Sequence, residues 1–190
     1  MGLAFWSQTA SQHSPSPGSP TPCASQHPGT RILRESDHFA SLHGWRQIPF
    51  RHGAFIRGSA LVGADCVVGN SVELKNVILF DHVQTPHYNY VGDSILGYYS
   101  HMGAGSITSN VKADKKLVIV HNGTEQVETG IKKFGAMLGD HVEVGCNAVM
   151  NPGTVIGRNS NVYPTSCVRG VVPADSIYKN SGEIIHKGEM

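Results

Sequence analysis

A six-residue hydrophobic period constrains this chain more than any other feature. From Phe50 a large apolar residue recurs at Ile56, Val62, Val68, Leu74 and Phe80. Four places after each of these except Phe80 stands a smaller or β-branched one: Ala54, Ala60, Cys66, Val72 and Ile78. After an interruption the pattern returns at Leu138, Val144, Met150, Ile156, Val162 and Val168, with Val142, Ala148, Thr154, Ser160, Ser166 and Val172 at the same offset. A helix repeats near 3.6 residues and a lone strand alternates every two, so neither explains the spacing. A solenoid does, because each short strand buries its large side chain only when stacked on its neighbours. With three repeats to a triangular turn, the regular segments amount to about five turns. Phe80, Met102 and Met150 are expected to fill the large inward slot.

At 190 residues the chain can hold one core of ordinary size. Fifteen basic residues stand against fourteen acidic ones, which excludes a nucleic-acid or membrane-surface role driven by charge. Charged residues are few and glycines many, as tight solenoid corners require. Cys23, Cys66, Cys146 and Cys167 show no CxxC spacing, and Cys66 falls in a small inward slot, so packing explains it better than redox chemistry. These features read as a reducing cytoplasm. No apolar run reaches the roughly 18 residues of a membrane span. The N-terminus lacks the basic and apolar regions of a secretion signal, and Trp6 stands where a myristoylation site needs Ser or Thr.

Residues 1–30 are rich in Ser, Pro, Gln and His and are expected to be disordered, because they cannot offset their ordering entropy by apolar burial. Residues 31–49 place Leu33, Phe39, Leu42 and Trp45 at a weak helical spacing that suits a cap over the open first coil. The solenoid domain is read as 50–173, with the period shortened to five between Pro86 and Ile95. Residues 109–137 leave the pattern. There Leu117–Val120 and Gln126–Thr129 flank Asn122-Gly123, a turn signal for an inserted, projecting hairpin. Residues 174–190 read as a short strand or irregular extension.

Gly follows the large residue at Val62, Val68, Leu96, Met102, Leu138, Val144 and Ile156. This rhythm resembles the hexapeptide-repeat family, which implies an all-β, left-handed parallel β-helix and homotrimers with sites between subunits. The break in the repeat gathers more specific motifs: Gly69-Asn70, Val72-Glu73 and Lys75, then His87 twelve residues on, Tyr90 and Gly92-Asp93, then Gly103-Ala104-Gly105, Ile107-Thr108 and Asn110. These resemble the acetyltransferase domain of the bifunctional glucosamine-1-phosphate N-acetyltransferase and uridyltransferase, most strongly from about residue 50 to 110 and more loosely from 135 to 173. The longer insertion looks more like archaeal and small stand-alone relatives.

The resemblance implies acetyl transfer from acetyl-CoA to an amino-sugar phosphate, with no metal. His87 matches the general base, a role suited to an imidazole of unperturbed pKa about 6.5. Arg57, Lys75 and Lys116 match phosphate-binding positions; Tyr90 and His101 match sugar-binding ones. Asn110 matches the residue that orients the acceptor nitrogen. Ala104 matches the residue whose backbone N–H faces the developing oxyanion. The cofactor is expected along the later coils near Cys146, Tyr163 and Pro164, with Arg169 as a phosphate contact. The family pattern has Asn at His101, Tyr at Val111 and Ser at Cys146. No uridyltransferase domain is expected in this chain, and a separate uridyltransferase partner stays open. Two other readings compete: a sugar-phosphate-binding solenoid without turnover, and a metalloenzyme of the carbonic-anhydrase type using His52, His82 and His87.

Overall fold

A computed structural model describes residues 31–34 and 50–189. The readings for residues 1–30, and for Phe39, Leu42 and Trp45, lie outside them. The rest is a parallel β-solenoid with three sides, each six parallel strands deep. Side one stacks Val67–Asn70, Gln84–His87, His101–Met102, Glu143–Val144, Asn161–Val162 and Ser176–Tyr178. Side two begins with Phe55–Ile56 and ends with Cys167–Val168; side three begins with Ser59–Val62 and ends with Val171–Val172. The core is a column of the large inward residues, among them Leu74, Leu79, Leu96, Met102, Met150 and Ile156. Each such side chain contributes about 1.5–3 kcal/mol of burial.

The period slips once more than the sequence suggested. Phe80, expected in the core, is 52% exposed, and Ile78 points outward too; Val77 and Leu79 are buried in their place. The strand Glu73–Leu79 runs unbroken across the corner between sides two and three, so the step from Leu74 to the next inward residue is five. Dropping one residue exchanges inward for outward positions along the strand. The same shortening recurs between Val91 and Leu96 in the strand Tyr90–Leu96. Asn76 (φ 52°) and Asp93 (φ 48°) make these tight corners. Asn and Asp tolerate the left-handed region better than other residues with a Cβ.

Three further differences follow from backbone pairing. Arg31–Arg34 is a strand, antiparallel to Ser59–Val62, where the spacing that begins at Leu33 suggests a helix; the unpaired edge of a first coil offers hydrogen bonds that a short segment can take. The inserted hairpin pairs Ile119–Asn122 with Glu125–Glu128, so Gly123-Thr124 forms the two-residue turn. It does not stand clear of the solenoid: a Cβ at Gly153 would lie 3.0 Å from the Ile119 carbonyl, and one at Gly170 3.0 Å from that of His121. The coil also continues past Pro173, since Ser176–Tyr178 pairs in parallel with Asn161–Val162 and Tyr178 is buried.

The outward rows of the three sides differ in chemistry. Side three carries Leu61, Ile78, Ile95, Met137, Val155 and Val171 in register, apolar throughout. Side one carries Gln84, His101, Glu143 and Asn161 at its centre. Side two carries Glu73 and Tyr90 between Phe55 and Ile107. Cys66 is buried, its thiol pushed up to about 12 by that burial, and it donates to the Phe80 carbonyl at 2.9 Å, as a packing residue would.

Candidate active site

The two corners flanking side two hold most of the residues singled out above. At the corner between sides two and three, successive coils contribute Arg57, Lys75, Gly92-Asp93 and Ser109-Asn110. Lys75 Nζ donates to both carboxylate oxygens of Asp93 at 3.1 and 2.9 Å, with side chains only 12% and 15% exposed. Asn110 Nδ2 donates to the Tyr90 hydroxyl at 3.2 Å and also to Asp93. Asn76 Nδ2 bonds Asp93 from below at 3.1 Å. Burial would raise the Asp93 carboxyl, but hydrogen bonds from Lys75, Asn76 and Asn110 outweigh it and hold the group below the usual carboxylate range. Arg57 donates to Glu73 at 2.8 Å, and Glu73, with a smaller contribution from Tyr90, raises its pKa. Gly92 leaves the room that this cluster occupies: a Cβ there would lie 2.5 Å from the Tyr90 hydroxyl and 2.8 Å from Asn110 Nδ2.

The insertion fixes Asn110 rather than displacing it. The chain leaves the solenoid there and returns beside it, with Phe134 N donating to the Asn110 carbonyl at 3.0 Å and Gly135 N to that of Asp93 at 2.8 Å. Because the excursion closes on itself, Ile95 pairs with Met137 across a separation of 42 residues.

The corner between sides one and two carries His87, Ala104, Cys146, Tyr163 and Pro164 on successive coils. Asn89, buried, organises it. Its side-chain oxygen accepts from His87 N at 3.1 Å, while its Nδ2 donates to the carbonyls of Gly103 at 2.8 Å and Ser106 at 3.2 Å. Gly105 N donates to the His87 carbonyl at 3.0 Å. The His87 ring is exposed, and neither it nor the Ala104 N–H has a hydrogen-bond partner among the described residues. His87 therefore sits on a different corner from Lys75 and Asn110, with the turn at Tyr88-Asn89 between them.

Three residues fall elsewhere than the resemblance implied. His101 lies on side one, its Nδ1 2.8 Å from Glu143 Oε2, in a groove of about 660 Å³ shared with Cys146, Tyr163, Pro164 and Lys187. It thus accompanies the residues expected to hold the cofactor rather than Arg57 and Lys75. Arg169 lies across side two from Cys146 and Tyr163, in a cavity of about 570 Å³ under the hairpin with Lys112 and His121. Lys116 lies on the insertion beside Leu117, Glu128 and Lys132, away from the Lys75 cluster. His82 occupies the corner between sides three and one, stacked on Tyr99 at 4.4 Å and apart from His87 at the corner between sides one and two, and within the single chain no cluster of three ligand side chains occurs among the described residues.

Four residues that the sequence did not single out as site residues complete the picture: Asn76, Asn89, Asp93 and Glu143. Asn76, Asp93 and Asn110 are each 17 residues apart, so a search for a 17-residue polar ladder beneath the six-residue period would have found two of them. Glu143 pairs with a residue 42 positions away and carries no such local signal.

No family model matches the chain. Over 134 residues it is 36% identical to the bifunctional protein GlmU of Methanococcus aeolicus, covering 70% of this chain and 32% of that one. Over 112 residues it is 34% identical to a bifunctional sugar-1-phosphate nucleotidylyltransferase/acetyltransferase of Sulfurisphaera tokodaii, covering 59% and 28%. The chain thus spans about a third of the length of the curated relatives it matches. Among solved structures, PerB from Caulobacter crescentus in complex with CoA and GDP-perosamine superposes with a TM-score of 0.57 at 18% identity, covering 73% of this chain and 57% of that one. The acetyltransferase domain of PglB from Neisseria gonorrhoeae, in complex with acetyl coenzyme A, gives 0.56 at 16% identity over 71% and 55%. At these identities the two structures speak to the fold alone. The chain is a three-sided parallel β-solenoid with a six-residue repeat, similar over 70% of its length to bifunctional GlmU proteins, of which it spans about a third.

Proposed function

We propose that this protein transfers an acetyl group from acetyl-CoA to the amine of an amino-sugar phosphate, glucosamine-1-phosphate in the first instance. The observation that carries the reading is the hydrogen-bonded cluster of Lys75, Tyr90, Asp93 and Asn110, with Arg57 beside it, on a solenoid resembling the GlmU proteins. Arg57 and Lys75 supply positive charge for the sugar's phosphate, and Asn110 and Tyr90 supply hydrogen bonds to its ring and nitrogen. His87 acts as the base that takes the proton from the attacking nitrogen, and the Ala104 N–H stabilises the oxyanion formed at the thioester carbon. The groove along side one, of about 660 Å³ and lined by Gly103, Gly145, Cys146, Tyr163 and Pro164 among others, suits the cofactor's arm. That PerB was solved with CoA and an amino-sugar nucleotide agrees with this class of reaction on this fold.

The protein works as a homotrimer in this reading. Side three exposes an apolar row that a lone solenoid would leave in water, and it adjoins the corner of Lys75 and Asn110. A neighbouring subunit covering that row would bring its own corner against the cluster, supplying the base that His87 of the same chain, one corner away, does not bring to Asn110. Met137→Glu should convert the trimer to monomers in light scattering and abolish transfer; an unchanged mass would overturn the interface.

The decisive experiment is thiol release from acetyl-CoA with glucosamine-1-phosphate, run beside His87→Ala. Release that needs both substrates and disappears in the variant establishes the reaction and its base. No release from a folded trimer overturns the reading.

A further inference from the structure

One residue at the His87 corner is polar where the repeat does not require it. The inward slot just after the turn between sides one and two is filled on successive coils by Val72, Asn89, Ser106, Ala148 and Ser166, all buried. Among them Asn89 alone carries a carboxamide. Small or apolar side chains satisfy the fold at this slot on the other coils, and a buried carboxamide costs free energy unless its polar atoms are bonded. Asn89 bonds at both ends, and it does so to two segments that bear the chemistry in the proposed function, on which the present inference rests.

The first segment carries the base. Asn89 Oδ1 accepts from His87 N at 3.1 Å, and the His87 carbonyl accepts from Gly105 N at 3.0 Å, so both polar groups of the His87 backbone are held. The second segment carries the oxyanion donor. Asn89 Nδ2 donates at 2.8 Å to the Gly103 carbonyl, which belongs to the same peptide group as the Ala104 N–H. That peptide is trans, so its C=O and N–H point in opposite directions. With the carbonyl aimed at a buried side chain, the N–H faces away from the core, where it has no partner among the described residues. Ser106 Oγ braces the arrangement, 2.7 Å from the Gly103 carbonyl and 3.1 Å from Asn89 Nδ2. Donors on the carbonyl also polarise the peptide and strengthen its N–H as a donor.

We propose that Asn89 is a positioning residue for acyl transfer: one carboxamide fixes the backbone of the base and turns the Gly103–Ala104 peptide so that the Ala104 N–H meets the oxyanion. The amine nitrogen bonds to the thioester carbon, the carbonyl electron pair moves onto oxygen, and the Ala104 N–H takes the resulting charge. The carbon–sulfur bond then breaks, and the proton that His87 took from nitrogen goes to sulfur. Asn89 touches none of the reacting atoms and acts only by keeping His87 and the Ala104 N–H in one fixed relation.

The test is steady-state kinetics of Asn89→Val, which installs the residue type of Val72 at the same slot, with acetyl-CoA and glucosamine-1-phosphate, beside thermal unfolding. The variant should fold, keep the KM of both substrates and lose roughly 10- to 10²-fold in kcat, the scale of a misplaced reacting group or a lost oxyanion donor. A residue that only packs would shift the thermal midpoint and leave the kcat of the folded protein unchanged. Asn89→Ser can bond one segment but not both, and should lose less kcat; if Asn89→Val does not fold, Asn89→Ser decides. A kcat within about 2-fold of wild type in the deciding variant, a rise in KM without a fall in kcat, or failure of both variants to fold would overturn the assignment while leaving acetyl transfer established. A wild type that releases no thiol would overturn both.

Discussion

At the corner between sides two and three, Lys75, Asp93, Asn110 and Tyr90 bond to one another within a single chain. At the corner between sides one and two, the His87 ring and the Ala104 N–H bond to nothing among the described residues. Both corners are built from the same repeat, and both are pinned by buried or half-buried Asn and Asp side chains. The difference is that one presents a finished polar cluster and the other presents an imidazole and a backbone N–H with their hydrogen-bonding capacity unspent. A cluster whose members hold one another in place is pre-organised for a ligand that meets their remaining donors, whereas unspent donors and acceptors suit groups that must change partners during a reaction.

That contrast can be broken by mutation. The largest effect is expected at His87: His87→Ala should lower turnover by about 10²-fold or more with an unchanged thermal midpoint, because the ring makes no bond that the fold needs. A comparable loss of stability would show that the unpaired corner is structural. Next, Lys75→Ala should raise the acceptor KM by about 10-fold and cost stability of roughly 1–3 kcal/mol, since it leaves the Asp93 carboxylate with Asn76 and Asn110 but no cation. Normal KM in a stable variant would remove Lys75 from the site.

A smaller effect distinguishes charge from packing at Asp93. Its folded pKa is depressed, so its contribution to stability is present above the unfolded carboxylate value of about 3.9 and is lost as pH falls through that range toward the folded pKa. The gap in thermal midpoint between wild type and Asp93→Asn should therefore be full near neutrality and narrow below about pH 4. A gap that stays constant to about pH 3 would mean that the pair acts through shape alone. The smallest effect on the fold is expected at Arg57. Its salt bridge to Glu73 is exposed, with side chains 46% and 34% accessible, so Arg57→Ala should leave the melting curve unmoved and weaken acceptor binding only. A clear drop in melting temperature would place Arg57 in the structure rather than the site.

Much of this was legible along the chain. Ile56, Val62, Val68 and Leu74 announced the solenoid, and the spacing of Lys75, His87, Tyr90 and Asn110 put them on successive coils beside side two, because a stacked repeat converts linear spacing directly into position. Phe80 marks where that conversion failed: a corner tightened by one residue at Asn76 exchanged Phe80 for Leu79, and hydrophobicity cannot distinguish two adjacent apolar residues competing for one slot. His101 marks another limit. Its spacing from the motif was visible, but its side was not, and the carboxylate that orients it comes from beyond the insertion.

The sequence by itself determined that short strands would stack with their large residues inward, since no other arrangement buries a six-residue period. It also determined which polar residues would ride at the corners. Only the tertiary structure decided which corners those were, through two five-residue steps and an insertion that closes on itself between Asn110 and Phe134. Corner assignment depends on the summed length of every preceding turn, so a one-residue change far away in the chain relocates a side chain that its own neighbours do not constrain.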